Sequence, residues 1–95
     1  MYVVIFRAEI AGLDERYSDM ASALRERALA SFSCLDFHAV SEGNKEIALS
    51  YWPDLESIEA WRQDAEHLAA QKLGRAKWYR HFSIDIAKIC HHREG

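Results

Sequence analysis

The chain has 95 residues, of which 49% are hydrophobic and 12% aromatic, and its net charge is −3 at pH 7. This length predicts one domain, residues 1–95, with residues 91–95 as a frayed polar tail. This net negative charge, without a cluster of basic residues, argues against a nucleic-acid-binding protein, which needs a basic face. No apolar run reaches the ~20 residues of a membrane span, and no signal-peptide pattern is present. The separated Cys34 and Cys90 do not predict a disulfide scaffold, so we expect a cytoplasmic protein.

The first half of the chain predicts a strand, a helix and a hairpin. Residues 2–10 are β-branched and aromatic without strict alternation, which is typical of a strand covered on both faces. Residues 13–31 place apolar side chains three and four residues apart, as in an amphipathic helix. Residues 34–42 and 46–52 alternate, and the Glu-Gly-Asn-Lys turn at 42–45 has glycine and asparagine placed for positive φ. These two runs therefore predict a β-hairpin.

The second half predicts a pair of helices and a last strand. Pro53 ends the hairpin because it cannot donate a ladder hydrogen bond. Asp54 is expected to cap a short helix, and Asp64 to cap the next one, which would run to about Tyr79. Residues 81–90 alternate again and predict a strand.

The predicted order is strand, helix, strand, strand, helix pair, strand. This is the ferredoxin-like βαββαβ order. We therefore expect an α+β fold with a four-stranded antiparallel sheet and both helical elements on one side. Because the strands carry apolar residues on both faces, the other face should pack on the same face of a second copy. This predicts a homodimer associated through its sheet faces, a dimeric α+β barrel.

The helix that begins near Asp64 has an unusual polar face. At 100° per residue, His67, Gln71, Gly74 and Trp78 fall on one side, opposite a face of small residues. A purely solvated face does not need a tryptophan, and a glycine in mid-helix costs ~1 kcal/mol against alanine. This face therefore lines a cleft or meets a partner subunit.

The stretch from Ser50 to Tyr79 follows the pattern SYW-x5-I-x2-W-x4-EH-x2-AQ-x2-GR-x2-WY. This pattern resembles the antibiotic biosynthesis monooxygenase family of dimeric α+β barrels, and the element order agrees over residues 2–90. The resemblance implies one of two chemistries. The first is cofactor-free oxygenation of polyphenolic or quinol-like substrates, in which O2 adds to a substrate carbanion. The second is oxidative degradation of haem.

The haem-degrading branch implies an asparagine on the first strand, a tryptophan on the second helical element and a histidine ten residues after it. Trp61 matches the tryptophan, but Gln71 occupies the histidine position and Phe6-Arg7 the asparagine position. Neutral glutamine is a poor axial iron ligand. His67, one turn before Gln71 on the same face, is the remaining candidate. The haem chemistry is therefore the less favoured of the two.

The candidate site residues combine this resemblance with the polar helix face. His67 is the predicted catalytic base, because its pKa near neutrality suits proton abstraction; the alternative is local pairing with Asp64 or Glu66. The predicted substrate-binding residues could stack on a flat aromatic ring, hold its oxygen or clamp an anionic group: Trp61, Trp78, Gln71, Tyr51 and Arg75. Each has a structural alternative in the core, at a subunit interface or in an ion pair.

These observations predict a cofactor-independent monooxygenase that acts on a flat aromatic or polyphenolic molecule. No cofactor is expected, and no histidine has the spacing of a metal site. The alternatives are a small-molecule-binding or stress-related dimer without turnover, a haem-binding or haem-degrading protein, and a purely structural dimer whose tryptophan face is an interface.

Overall fold

The computed structural model describes residues 1–11, 15–73 and 79–95, and of residues 15, 16 and 67–73 the backbone alone. Along the chain the elements are β1 (Tyr2–Ile10), α1 (Glu15–Ser31), β2 (Asp36–Glu42), β3 (Lys45–Trp52), α2 (Leu55–Leu73) and β4 (Tyr79–Lys88). The strands form one antiparallel sheet in the order β2-β3-β1-β4. This confirms the predicted ferredoxin-like α+β fold. The predicted helix start at Leu13 lies outside the described residues.

The two faces of the sheet have different surroundings. Side chains of a strand alternate between faces, and one face carries the helices: α1 packs against α2 and β2, and α2 against β3. The core on this face contains Val4 of β1, Trp52 of β3 and Ile58 of α2, with Trp52 and Ile58 fully buried. The Trp52 indole N–H donates to Ser50 Oγ at 2.8 Å, so this buried donor has a hydrogen-bond partner.

The predicted helix pair is wrong, because α2 is one continuous helix from Leu55 to Leu73. Asp64 does not cap a second helix. Instead, Arg27 of α1 donates to its two carboxylate oxygens at 2.7 and 2.5 Å. This bidentate pair holds the two helices together. No glycine or proline lies within α2, so nothing in the backbone chemistry ends the helix at Asp64.

The end of that helix is also placed differently from the prediction. Tyr79 belongs to β4 rather than to the helix, and β4 therefore begins before the predicted residue His81. The start of α2 agrees with the prediction, because the Ser57 backbone N–H donates to Asp54 Oδ1 at 2.8 Å. This bond lowers the pKa of the Asp54 carboxyl group, since it favours the ionised form.

The turn between β2 and β3 is confirmed for one of its two expected residues. Gly43 has a φ of 61°, whereas Asn44 does not have a positive φ. The Asn44 carbonyl oxygen instead accepts a hydrogen bond from the Ile10 backbone N–H at 2.7 Å. Its side-chain amide donates to Glu9 at 3.2 Å. Asn44 therefore ties the hairpin to the end of β1.

The chain leaves α1 through a left-handed residue, Ser33, with a φ of 66°. Beyond it the Cys34 backbone N–H donates to the Ala28 carbonyl oxygen at 3.1 Å, which closes the last turn of the helix. Glycine is the usual residue at such a position. Among the described residues, no helix is both long enough and apolar enough to cross a membrane.

Candidate functional site

Trp61 lies on α2 and packs into the core between the helices and the sheet. Its ring centroid is 5.2 Å from that of Trp52 and 6.3 Å from that of Phe37. Its indole N–H donates to the Leu24 carbonyl oxygen of α1 at 3.3 Å. Trp61 therefore joins α2 to α1 and to the sheet. The Trp61 side chain is half-buried, so its neighbours leave part of the ring uncovered. Stacking of a ligand on that part of the ring stays a prediction.

Tyr51 lies on the opposite face of the sheet from Trp61. It pairs with Val3 of β1 and Asp36 of β2, and its ring centroid is 6.4 Å from that of His38. These residues share the face that carries no helices. The structure therefore does not bring Tyr51 and Trp61 together, and Tyr51 does not line the space between the helices and the sheet of its own subunit.

The other predicted site residues lie in the second half of α2 and beyond it. His67 and Gln71 are on the helix, where the backbone alone is described. Arg75 and Trp78 lie outside the described residues. The roles proposed for these four residues stay predictions.

An apolar surface lies on the helix-bearing face at β4. Phe82, Ile84 and Ile86 are 54%, 46% and 42% exposed. Their partners on β1, which share this face, are Ala8, Phe6 and Val4. We call Phe82, Ile84 and Ile86 the apolar floor. It spans about 13–14 Å at the rise of an antiparallel strand, long enough for a fused-ring molecule. Exposed apolar patches of this kind mark ligand grooves or interfaces.

One end of the apolar floor meets a cluster of aromatic rings. The Tyr79 ring centroid is 5.5 Å from that of Phe6 and 5.7 Å from that of Phe82. On its other side, Tyr79 meets Tyr17 of α1 edge to face, with centroids 5.9 Å apart. Tyr79 therefore lies between the floor and the first helix.

A polar group is enclosed behind this cluster. The Tyr17 hydroxyl donates to Glu46 Oε2 of β3 and is also hydrogen-bonded to the Tyr79 hydroxyl. Glu46 is half-buried and pairs with Ala8 on the helix-bearing face, and Tyr17 is only 6% exposed. We call Glu46, Tyr17 and Tyr79 the tyrosine chain.

Burial stabilises the protonated form of the two phenols. It is the main cause that raises the pKa of Tyr17, and the hydrogen bond to Glu46 raises that pKa further. Burial also raises the pKa of Tyr79. Both hydroxyls therefore keep their protons further into alkali than an exposed tyrosine, whose pKa is about 10, because an enclosed phenolate would lose its hydration.

Two features of the sequence point to the tyrosine chain, although neither identifies the contact between its members. Tyr17 falls on the apolar stripe of α1 at helical spacing, but it also brings a hydroxyl group into the core. Side chains alternate between the two faces of a strand, so Glu46 lies on the same face of β3 as Ala48, Ser50 and Trp52. Alternation therefore places a carboxylate among inward-facing residues. An inward carboxylate needs a partner, but the sequence does not say which one.

The remaining candidate groups have local partners. Arg7 lies 3.4 Å from Asp85, and both side chains are 60% exposed. His38 lies 2.8 Å from Asp36, and this contact lowers the pKa of the Asp36 carboxyl group. Burial raises the pKa of the Cys34 thiol. Within the described ranges, no group of histidine, cysteine, aspartate and glutamate side chains is arranged to hold a metal ion.

No family model matches the chain. It is, however, 32% identical over 89 residues to the uncharacterized protein YqjZ of Bacillus subtilis, an alignment that covers 93% of this chain and 78% of YqjZ. The chain belongs to the YqjZ family. Because YqjZ is itself uncharacterized, membership of this family assigns no activity to this YqjZ-family protein.

Solved structures extend the comparison at the level of the fold. SnoaB from Streptomyces nogalater, a cofactor-independent oxygenase, has a TM-score of 0.76 at 8% identity, over 96% of this chain and 94% of its own. MhuD with bound manganese protoporphyrin IX has a TM-score of 0.61 at 15% identity, over 98% and 99%. Structures of antibiotic biosynthesis monooxygenases also share the fold. The predicted resemblance to that family is therefore confirmed in the fold.

Proposed function

We propose that this YqjZ-family protein is a cofactor-independent monooxygenase that acts on a flat aromatic or polyphenolic molecule. One observation carries the proposal: the apolar floor lies exposed on the helix-bearing face of the sheet and ends at the ring of Tyr79. A flat ligand on this floor would pack against apolar side chains and meet aromatic rings at one end. The fold shared with SnoaB, an oxygenase without a cofactor, supports the reaction type.

The proposed reaction needs a base, a substrate and O2. With anthrone as the test substrate, loss of a proton from its CH2 carbon gives a carbanion that forms a bond to O2. The resulting hydroperoxide loses water and leaves a ketone. One oxygen atom therefore enters the product and the other leaves as water, while the substrate supplies the electrons. His67 is the proposed base, and Gln71 the group that holds the substrate oxygen.

We also propose that two copies associate through the sheet face that carries no helices. Val3, Ile5 and Leu49 are half-buried on this face, and Ile47 is 43% exposed beside them. A second copy would remove this apolar surface from water. Leu49→Glu should then give a monomer in analytical ultracentrifugation. Leu29→Glu, on the exposed surface of α1, should leave the dimer intact; dimeric Leu49→Glu would contradict the proposed interface.

The ligand proposal is tested with two matched variants. Ile84 is 46% exposed on the apolar floor, and Leu29 is 41% exposed on α1, outside both the floor and the proposed dimer interface. Ile84→Ala should weaken the binding of anthrone and hydroquinones and lower oxygen uptake, because it removes floor contacts. Leu29→Ala should change neither. Binding is measured as the rise in thermal midpoint, which for a ligand at a hundredfold excess over its Kd corresponds to about 2.7 kcal/mol.

The outcomes separate the candidate functions. Oxygen uptake that depends on Ile84 and His67 supports the monooxygenase. Binding that depends on Ile84 without oxygen uptake supports a non-catalytic small-molecule-binding protein. A saturable shift with haemin and a change in its Soret band would favour the haem chemistry. Equal effects of Ile84→Ala and Leu29→Ala would contradict the floor as the ligand site.

A further inference from the structure

The apolar floor leads, on the same face of β4, to a basic side chain. Lys88 follows the floor residue Ile86 by two positions, so strand alternation places it on the helix-bearing face. Its partner on β1 is Tyr2, which packs against the core of that face. The Lys88 Cα lies about 7 Å beyond that of Ile86 along the strand. A lysine stem can cover such a distance along apolar surface while its ammonium group stays in water, so Lys88 can reach the end of the floor.

The charge of Lys88 is not neutralised by a carboxylate among the described residues. The side chain is exposed, its neighbour on β1 is an aromatic ring, and on its other side β4 is the edge of the sheet. The carboxylate of Asp85 lies on the opposite face, 3.4 Å from Arg7. Other basic side chains do lie within 4.0 Å of a carboxylate: Arg7, Arg27, Arg62 and Arg80. The ammonium group of Lys88 is therefore available to a bound molecule.

The two ends of the floor differ in charge. At the Tyr79 end, the carboxylate of Glu46 stands behind the rings and accepts a hydrogen bond from Tyr17. Burial raises the pKa of Tyr79, the hydrogen bond with Tyr17 lowers it, and the negative charge of Glu46 raises it again. The charge of Glu46 therefore acts at this end of the floor. It repels an anionic group there, whereas Lys88 attracts one at the other end.

We infer that the ligand of the apolar floor is an aromatic carboxylate, a flat ring system whose carboxylate group pairs with the ammonium group of Lys88. This inference rests on the proposed function, because the rings must lie on the floor. A neutral flat molecule would gain the apolar contacts alone. The carboxylate adds a polar contact that fixes the orientation of the molecule, with its uncharged end at Tyr79.

The test compares the affinities of anthraquinone-2-carboxylate and anthraquinone-2-carboxamide by equilibrium titration. The two compounds share their rings and nearly their shape, and they differ in charge. The unmodified protein should prefer the carboxylate about fivefold at low ionic strength, the upper range for an exposed ion pair. The preference should shrink as salt is added, because ions screen exposed charges.

Variants locate the charge that is responsible. Lys88→Met keeps an apolar stem and should bind the two compounds equally, with its affinity for the carboxamide unchanged. Lys88→Arg should keep the preference, and Lys88→Glu should reverse it. Arg62→Met is the matched control, since it removes one positive charge from the exposed surface of α2, and it should behave as the unmodified protein. Ile84→Ala should weaken the binding of both compounds, because the floor contacts do not depend on charge.

The results decide the inference separately from the proposal beneath it. A preference that is lost in Lys88→Met and kept in Arg62→Met supports the inference. Equal affinities in the unmodified protein, or a preference that Lys88→Met retains, overturn it, while binding that depends on Ile84 keeps the proposed ligand site. Equal losses in Lys88→Met and Arg62→Met also overturn it, since net charge alone would then decide. Failure of both compounds to bind overturns the ligand site as well. If Lys88→Met does not fold, as judged by circular dichroism, Lys88→Glu decides.

Discussion

The stability of the protein should fall in alkali because of Tyr17, and the variant Tyr17→Phe isolates this effect. In the folded protein the pKa of Tyr17 is raised, first by burial and then by its bond to Glu46. In the unfolded chain a tyrosine ionises near pH 10. The contribution of Tyr17 is therefore fully present below about pH 10 and is lost as the pH rises above it, since the unfolded state then releases a proton that the folded state retains.

Two contributions set the magnitude. Loss of the Tyr17 hydroxyl leaves Glu46 without that donor, which costs about 1–3 kcal/mol at any pH where the phenol is protonated. Ionisation of Tyr17 in the unfolded chain then removes about 1.4 kcal/mol from the unmodified protein at pH 11. Tyr17→Phe has no such loss. The stability gap between the two proteins should therefore narrow by about 1.4 kcal/mol between pH 8 and pH 11.

Urea unfolding followed by tryptophan fluorescence, at one protein concentration, measures this gap from pH 8 to pH 11. Ser50→Ala is the matched control. It also removes a buried hydroxyl, the acceptor of the Trp52 indole N–H, and should cost about 1–3 kcal/mol. Because the Ser50 hydroxyl does not titrate in this range, the gap of this variant should stay constant. A constant gap for Tyr17→Phe as well would refute the enclosed, protonated Tyr17 described above.

Two further predictions concern the helix ends. Ser33→Gly should stabilise the protein by about 1 kcal/mol in urea unfolding, because glycine adopts the left-handed conformation of this position without strain. Ser31→Gly, at the last residue of α1, should destabilise it, because glycine disfavours the helical conformation. The same sign for both variants would contradict the left-handed assignment of Ser33. Asp54→Ala should lower the thermal midpoint at neutral pH, whereas Asp54→Asn keeps an acceptor for Ser57. Since the pKa of Asp54 is lowered in the folded protein, its contribution is present above its unfolded pKa and is lost as the pH falls through the folded one. The Asp54→Ala and unmodified midpoints should therefore converge in acid, and midpoints that stay equally far apart would exclude this role.

Local patterns determined much of the fold. The β-branched run at 2–10, the helical stripe that ends at Ser31 and the alternating runs around Gly43 each carry their period within one element, and all appear in the structure. The Asp54 cap is equally local, since its partner is three residues away. Such features depend on backbone dihedrals and neighbouring side chains. They are therefore readable from a single sequence.

Contacts between distant residues decided the rest. The sequence presents Asp64 as a helix cap, but Arg27 of another helix takes both carboxylate oxygens, and α2 continues. Tyr51 and Trp61 are ten residues apart in the sequence, yet the sheet separates them, because Tyr51 lies on the face opposite the one on which α2 packs. Neither outcome has a local signal, since a carboxylate or an aromatic ring looks the same along the chain whichever partner it meets.

The candidate site also depends on contacts between residues that are distant in the sequence. The sequence by itself determined that β4 alternates and that its apolar residues share one face. Only the tertiary structure decided that the helices contact β2 and β3, toward the opposite edge of the sheet, which leaves the β4 side chains on the same face exposed. It also brought Tyr17 to Glu46, 29 residues away. The physical reason is that strand order and helix placement follow from burial summed over the whole chain, which no single segment encodes.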